Sequence, residues 1–331
     1  MIDSNKILVI LNPVAGKGKA AERRPEIERL MASHGLSFDL RLTEAPGHAA
    51  AIAGDADGDV YGVVVAAGGD GTVNETVNGL MAAKAAGKRV PALGVLSVGR
   101  GNDFSYGADL PGDLEGCIGV LAHNKRRVLD LGLVTGGDFP GGKYFANGIG
   151  VGFDTIVGLE AAKMKHVHGF MAYVFGALRT FIMFPDAPEV KISWDDALLS
   201  IESHQISIMN GKRMGGTFFM APWAENHDGR LELCMAGRMN RREMVDLMIR
   251  YTKGSQVGHP KITTASASRY RIEAPNGGLV VHADGETVCI DGRSLDVECV
   301  PGALQIVCDP GRVERERSAA TQGKASKDSP P

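Results

Sequence analysis

The hydrophobic positions of this chain change their period near residue 130. Before it, short unbroken apolar runs alternate with longer stretches in which apolar residues return every three or four positions. "KILVIL" (6–11), "YGVVVAA" (61–67) and "PALGVLSV" (91–98) are unbroken runs, the pattern of strands buried on both faces of a parallel sheet. "SFDLRLTE" (37–44) alternates polar and apolar like a strand. Helical stretches separate these strands: about Ala20 to Ser33, "GHAAAIAGDA" (47–56), and one starting at Thr72. In the last, Val73, Val77, Leu80 and Met81 make one apolar stripe, and Thr72 with Glu75 spells a T-x-x-E capping box. Alternating units of this kind predict a doubly wound, mainly parallel α/β domain over residues 1–131.

Beyond residue 130 the pattern shortens to strands separated by turn residues: "KYFANGIGVGF", "VKISW", "HQISIMN", "GTFFMA", "RLELCMA", "SRYRIEA", "GLVVHAD" and "LDVECV". These predict a β-rich, antiparallel, sandwich-like domain over 132–311, its last strand a candidate to return to the first domain. Two helical stretches interrupt it, 154–183 and 241–252. The longer contains "GFMAYVFGALRTFIMFP" (169–185), expected either as plain core or as the wall of a pocket for an apolar ligand. Arg179 and Pro185 argue against a membrane span, which needs about 20 apolar residues without a central charge. Residues 312–331 are nearly devoid of apolar side chains and read as a disordered tail. No internal repeat is visible.

Composition narrows the classes. The 331 residues suffice for two domains, and a formal charge of -3 argues against a general nucleic-acid binder. The five cysteines, odd in number and without a CxxC pair, fit buried thiols in a reduced cytosolic chain. The first apolar run is too short for a signal-peptide core. His166 and His168 lack a third ligand nearby, so no zinc site is read.

Three glycine-rich turns close predicted strands of the first domain: "NPVAGKGK", "GGDGT" and "VGRGNDF". Ligands of an open parallel sheet bind outside those strand ends, where glycines let backbone N–H groups approach phosphate oxygens and a helix N-terminus favours negative charge. None is a Walker A loop or a G-x-G-x-x-G fingerprint. Two of the turns carry an acid, Asp70 and Asp103, and one carries Lys17, which suits a Mg2+-nucleotide site. In "HADGET", Asp284 and Glu286 stand two apart, on one side of a strand if the strand continues. Beside a phosphate site, a carboxylate there can accept the proton of an attacking hydroxyl. "ENHDGRLEL" (225–233) is a further acidic turn.

Taken in order, "LNPVAGKGKA", "GGDGTVNETVNGL", "GRGNDFS", "LDLG" (129–132), "NGIGVGFDT" (147–155), "GGTFFMAPWAENHDGRLEL" (215–233) and "HADGE" resemble the diacylglycerol kinase catalytic-domain family, the soluble lipid kinases related to sphingosine and ceramide kinases. The resemblance covers nearly all of residues 5–310 and implies a nucleotide domain of NAD kinase/diacylglycerol kinase type followed by a β-rich lipid domain. It further implies ATP and Mg2+ as cofactors. Gly68, Gly69, Gly71 and Thr72 would hold the nucleotide, with Asn12, Lys17, Glu75, Gly99, Arg100, Gly101 and Asn102 around them. Asp70, Asp103 and Asp130 would shape the magnesium and phosphate network. Glu286 would be the general base with Asp284 beside it, and Asp228 would mark a structural metal. Two departures stand out. Arg100 replaces the usual threonine of G-T-G-N-D-F, and Tyr106 stands three residues after Asp103, where many bacterial members carry arginine. Arg100 is therefore the candidate for the missing positive charge.

The expectation is a cytoplasmic kinase that associates peripherally with the inner face of a membrane, without a transmembrane segment or nucleic-acid partner. It would phosphorylate a lipid hydroxyl, diacylglycerol first and a sphingoid base or phosphatidylglycerol as alternatives. A catalytically silent lipid- or nucleotide-binding regulator is the rival class. A C2 homodimer is expected on frequency alone. Lys125-Arg126-Arg127 and Arg238 to Arg242 are the local basic runs that could meet anionic lipid.

Overall fold

The computed structural model describes residues 6–99, 101–163, 179–184 and 186–309. The first domain contains β1 (Lys6–Leu11), α1 (Lys19–Glu22), α2 (Arg24–Ser33), β2 (Phe38–Leu42), α3 (His48–Gly54), β3 (Tyr61–Gly68), α4 (Asp70–Ala85), β4 (Ala92–Ser97), α5 (Asp103–Gly107) and α6 (Leu114–His123). The expected helix from Ala20 to Ser33 is broken in two, because Pro25 lacks an N–H and restarts the helix in its first turn.

Strands β1 to β4 are parallel in the order β2-β1-β3-β4. Leu8 to Leu11, Val64 to Ala67, Leu93 and Leu96 are completely buried, which is why these strands read as unbroken apolar runs. The order reverses between β1 and β3. That switch point opens a crevice at the carboxyl ends of the strands, where the turns after β1 and β3 lie.

The second domain contains β5 (Arg126–Gly136), β6 (Phe139–Phe145), β7 (Gly148–Gly152), α7 (Phe153–Ala162), β8 (Glu189–Trp194), β9 (Ala197–Met209), β10 (Leu231–Gly237), the helix Arg241–Lys253, β11 (Ile262–Ala267), β12 (Arg269–Glu273), β13 (Leu279–Ala283), β14 (Glu286–Gly292) and β15 (Ser294–Val307). Its pairings are antiparallel, and β9 is long enough to pair with β8 at one end and with β7 and β10 at the other. β15 runs antiparallel to β5 and β12, and at Ile306 meets Leu93 of β4 in parallel. One strand thus ties the two sheets together.

Two expectations change here. "GTFFMA" is not a strand. Gly215 and Gly216, both at positive φ, fold it into a tight loop in which Met214 and Phe218 exchange backbone hydrogen bonds of 2.8 and 3.1 Å. The expected long helix is seen as α7 and a helical stretch at 179–183, while residues 164–178 lie outside the described residues, as does the tail from 310 on. All five cysteines are buried and none forms a disulfide; burial pushes Cys234 up to about 11 and Cys299 to about 12, so both thiols stay protonated.

Candidate active site

The three glycine turns converge at the carboxyl ends of β1, β3 and β4. Asn12, just past β1, donates from Nδ2 to Thr72 Oγ1 at 3.1 Å and accepts the Val14 N–H with its own Oδ1. The turn after β4 folds onto the turn after β3: the Gly99 N–H donates to Gly68 O at 3.0 Å. A Cβ on Gly99 would stand 2.4 Å from the Gly69 Cα, so only glycine lets the two turns lie this close. A Cβ on Gly71 would meet nothing, so this position faces open space. Lys17 is exposed, with left-handed backbone in the first turn. Arg100 lies outside the described residues.

The expected Thr72–Glu75 capping box does not form. α4 begins at Asp70 with Gly69 as its N-cap, and no side chain caps it. β3 remains extended through Gly68, so the helix starts two residues early and Thr72 falls inside its first turn. Its buried hydroxyl instead meets Asn12, and Glu75 accepts the Ala49 N–H of α3 at 3.1 Å. The N–H groups of Thr72 and Val73 both turn back to Gly69 O, and no side chain takes any N–H at the start of α4.

Asp70 and Asp103 flank Gly101: a Cβ built there would stand 3.0 Å from Asp70 Oδ2 and 3.9 Å from Asp103 Oδ2. Asp70 Oδ1 accepts the Phe104 N–H at 3.0 Å, which ties the N-terminus of α4 to α5. Burial raises the pKa of Asp103, and the charge of Asp70 adds to that rise. The Gly216 N–H and the Arg213 guanidinium oppose it. Asn102 holds a left-handed conformation at φ 48 in the same turn. Arg213 was not singled out in the sequence; it lies in "GKRMG", just before the segment read as a strand, and its partner Asp103 is 110 positions away.

The opposing wall is stitched to α4 by two asparagines one turn apart. Asn78 donates to Tyr144 O and accepts the Tyr144 N–H at 3.0 and 3.1 Å, and Asn74 donates to Tyr144 O at 3.1 Å and to Asp284 Oδ2 at 2.9 Å. Their i, i+4 spacing in "NETVN" is the signal that could have found them. Asp284 and Glu286 do not share one face of a strand. Asp284 (φ 47) and Gly285 (φ 86) form a two-residue hairpin turn between β13 and β14. The Asp284 carboxylate turns inward and accepts from Asn74 and from the N–H groups of Ala146, Asn147 and Gly148, all within 3.0 Å. Burial pushes its pKa up, and these hydrogen bonds oppose that rise. Asp284 is thus an anchor that fixes the turn. Asp284→Ala, which leaves those donors without their acceptor, is expected to cost roughly 3 kcal/mol or more of stability, measured by chemical denaturation. A variant as stable as the parent would refute the anchoring role.

Glu286, by contrast, is half-exposed at the head of β14 and pairs with Lys143 Nζ at 2.6 Å. Lys143 also lies over the Phe139 ring, 4.8 Å from its centroid, and is a site residue the sequence reading missed. Lys143 holds the Glu286 carboxylate in place at the head of β14.

Asp130 and Asp228 do not join this site. Asp130 is buried in β5, with its oxygens accepting the N–H groups of Gly229 at 2.6 Å and Gly302 at 2.7 Å. Asp228 accepts the Arg230 N–H within its own turn. Among the described residues, no group of three or more histidines, cysteines or acids could hold a metal ion. Of the three acids expected in the magnesium and phosphate network, Asp70 and Asp103 thus lie together at Gly101, whereas both Asp130 oxygens are taken by backbone N–H groups; Asp228, expected at a separate structural metal, stands in the turn next to Gly229. At Gly101 the charge of Asp70 raises the pKa of Asp103, so these two carboxylates are the donors present here for a divalent cation.

Beside the turn of β13 and β14 lies a narrow apolar slot of about 40 Å³, lined by Phe153, Asp154, Val157, Gln205, Met214, Phe218, Met220, Met248 and Tyr251. Three methionines give it adaptable walls. Asp154 Oδ2 is buried there without a hydrogen-bond partner among the described residues, 3.5 Å from His282 Nε2. His282 Nδ1 in turn accepts the N–H of Gly285 at 3.3 Å, so the slot adjoins the Asp284–Glu286 turn.

Comparison with known proteins follows this division of the chain. Residues 6–134 match the family model "Diacylglycerol kinase catalytic domain", and residues 147–308 match "YegS C-terminal NAD kinase beta sandwich-like domain". The chain is 30% identical over 281 residues to a diacylglycerol kinase of Staphylococcus epidermidis, covering 84% of each chain. It is 29% identical to one of Staphylococcus aureus, covering 84% and 85%. A crystal structure of a diacylglycerol kinase from Bacillus anthracis superimposes with a TM-score of 0.70 at 21% identity, over 93% of this chain and 98% of the other. An NAD kinase from Archaeoglobus fulgidus in complex with ATP shares the fold more loosely, with a TM-score of 0.51 at 13% identity over 95% and 97%.

Proposed function

This chain belongs to the diacylglycerol kinase family and is a lipid kinase, and on that premise we propose that it transfers the γ-phosphoryl group of ATP, with Mg2+, to the free hydroxyl of diacylglycerol. The observation that carries this reading is the hydrogen bond from Asn74 to Asp284. It joins the helix that starts at the phosphate turn to the turn that presents Glu286, so donor and base sites face one cleft.

In this reading the backbone N–H groups at the start of α4 and the turns around Gly69 and Gly99 cradle the phosphates, with Lys17 adding charge from the first turn. Asp70 and Asp103 would hold the Mg2+, which offsets negative charge on the phosphates. Glu286 accepts the proton of the acceptor hydroxyl as its oxygen forms the new bond to phosphorus. The bond to the bridging oxygen breaks, and ADP leaves with the electron pair. The apolar slot favours a lipid over a soluble acceptor, and the unpartnered Asp154 Oδ2 suits a polar group on that lipid. A screen with labelled ATP and Mg2+ across lipid classes tests the reading. Labelled phosphatidic acid from diacylglycerol, above the products from a sphingoid base or phosphatidylglycerol, is expected. No labelled lipid from any acceptor would defeat it.

An acceptor buried in a bilayer requires a docking face. Among the described residues, no helix is long and apolar enough to cross a membrane. The helix Arg241–Lys253 instead exposes Val245 and Ile249 in line with Arg241, whose Nη2 donates to the carbonyl of exposed Ile182 at 2.9 Å. With Met183, these apolar side chains are 43 to 64% exposed and border the slot through Met248. Apolar insertion with arginines at its margin suits an anionic lipid surface. The double variant Val245→Asp, Ile249→Asp is expected to lose about tenfold or more in co-sedimentation with vesicles containing anionic lipid, since each side chain contributes on the order of 1.5 kcal/mol when buried. Its binding of a Mg2+-loaded ATP analogue should be unchanged. Undiminished vesicle binding would assign docking to another face.

A further inference from the structure

The loop from Gly211 to Met220 belongs to the second domain and reaches two sites at once. On one side it grips the phosphate edge. Arg213 Nε donates to Asp103 Oδ1 at 2.8 Å, Arg213 Nη2 donates to Gly101 O at 3.0 Å, and the Gly216 N–H donates to both Asp103 oxygens. The guanidinium lies over the Tyr106 ring, 4.2 Å from its centroid, and that ring meets Phe219 edge-on at 5.8 Å. On the other side, Met214, Phe218 and Met220 line the apolar slot. The paired backbone hydrogen bonds between Met214 and Phe218 close the loop, so neither side can shift without the other.

This arrangement bears on the tyrosine at position 106. A positive charge stands beside Asp103, supplied from the second domain by Arg213, and the tyrosine is its platform. A planar guanidinium held by a carboxylate, a carbonyl and an aromatic face has one orientation; a lysine there would keep the charge and lose the fork and the stack.

We propose that Arg213 is a positioning residue that holds Asp103 and the Gly101 turn in register for the nucleotide, and that through its loop the filling of the acceptor slot strengthens nucleotide binding. The proposal rests on the kinase reading above. An acceptor in the slot orders Met214 and Phe218. The loop then presents Arg213 already fixed, and the nucleotide meets a turn that needs no further ordering. By linkage the nucleotide must strengthen acceptor binding by the same factor.

Calorimetric titration of a non-hydrolysable ATP analogue with Mg2+, with and without a short-chain diacylglycerol, tests this. In the parent protein the acceptor is expected to tighten analogue binding about fivefold or more, within the usual range of coupling between sites. Arg213→Ala should bind the analogue more weakly and lose the coupling. Arg213→Lys should recover part of the affinity, and the exchange Tyr106→Arg with Arg213→Tyr should recover more. If Arg213→Ala does not fold, Tyr106→Ala removes the platform from a half-exposed position and should lower the coupling in the same direction. Wild-type coupling in Arg213→Ala, or no coupling in a parent protein that binds the analogue, would each overturn the proposal. A parent protein that binds no analogue and labels no lipid would overturn the kinase reading instead, so the two failures are distinguishable.

Discussion

Glu286→Gln is expected to lower turnover by about 10²- to 10⁴-fold, the usual contribution of a positioned general base, while leaving the affinity for a Mg2+-loaded ATP analogue unchanged. The split follows from where the side chain sits. Glu286 heads β14, half-exposed, with Lys143 as its ion-pair partner, whereas the glycine turns close β1, β3 and β4 of the other domain. Glutamine keeps the size and a hydrogen-bonding oxygen but cannot take a proton at neutral pH. Single-turnover kinetics and calorimetry on the same preparation separate the two quantities. Turnover near that of the parent would remove Glu286 from the mechanism. Asp284 could not replace it, because its carboxylate is enclosed by Asn74 and by backbone donors.

Asp70→Ala should damage both quantities. It removes one of the two carboxylates that flank Gly101 and also the acceptor of the Phe104 N–H, so it loosens the junction of α4 and α5 as well as the charge. Loss of one preorganised electrostatic partner costs about 10²- to 10³-fold in turnover, and a weaker nucleotide affinity should accompany it. Asp70→Asn separates the two roles. It keeps an oxygen for the Phe104 N–H and lacks the charge, so it should match Asp70→Ala in activity and the parent in melting temperature. An Asp70→Asn variant of parental activity would show that the charge is not required.

Much of the fold was legible because burial on both faces writes itself into consecutive apolar residues. β1 lies at 6–11 as read, and β3 and β4 begin or end within a residue of their runs. The site was legible where chemistry requires a residue type at a strand end, as with Gly68, Asp70 and Asp103. It was misread where a side chain's partner is distant in sequence. Thr72 and Glu75 have the spacing of a capping box, yet their partners are Asn12 and Ala49. Asp284 and Glu286 looked like a pair on one face, until a two-residue turn sent one inward and the other out.

By itself, then, the sequence determined the alternating first domain, the β-rich second one, the three glycine turns and the acids they carry, since period and local backbone demands are properties of neighbouring residues. Only the tertiary structure decided that Asp130 anchors backbone, that Asn74 bonds to Asp284, and that Arg213 stands beside Asp103. Each of those is a hydrogen bond or ion pair between residues 99 to 210 positions apart. Such contacts form when separate apolar faces pack and exclude water, and no local pattern in either segment records the partner.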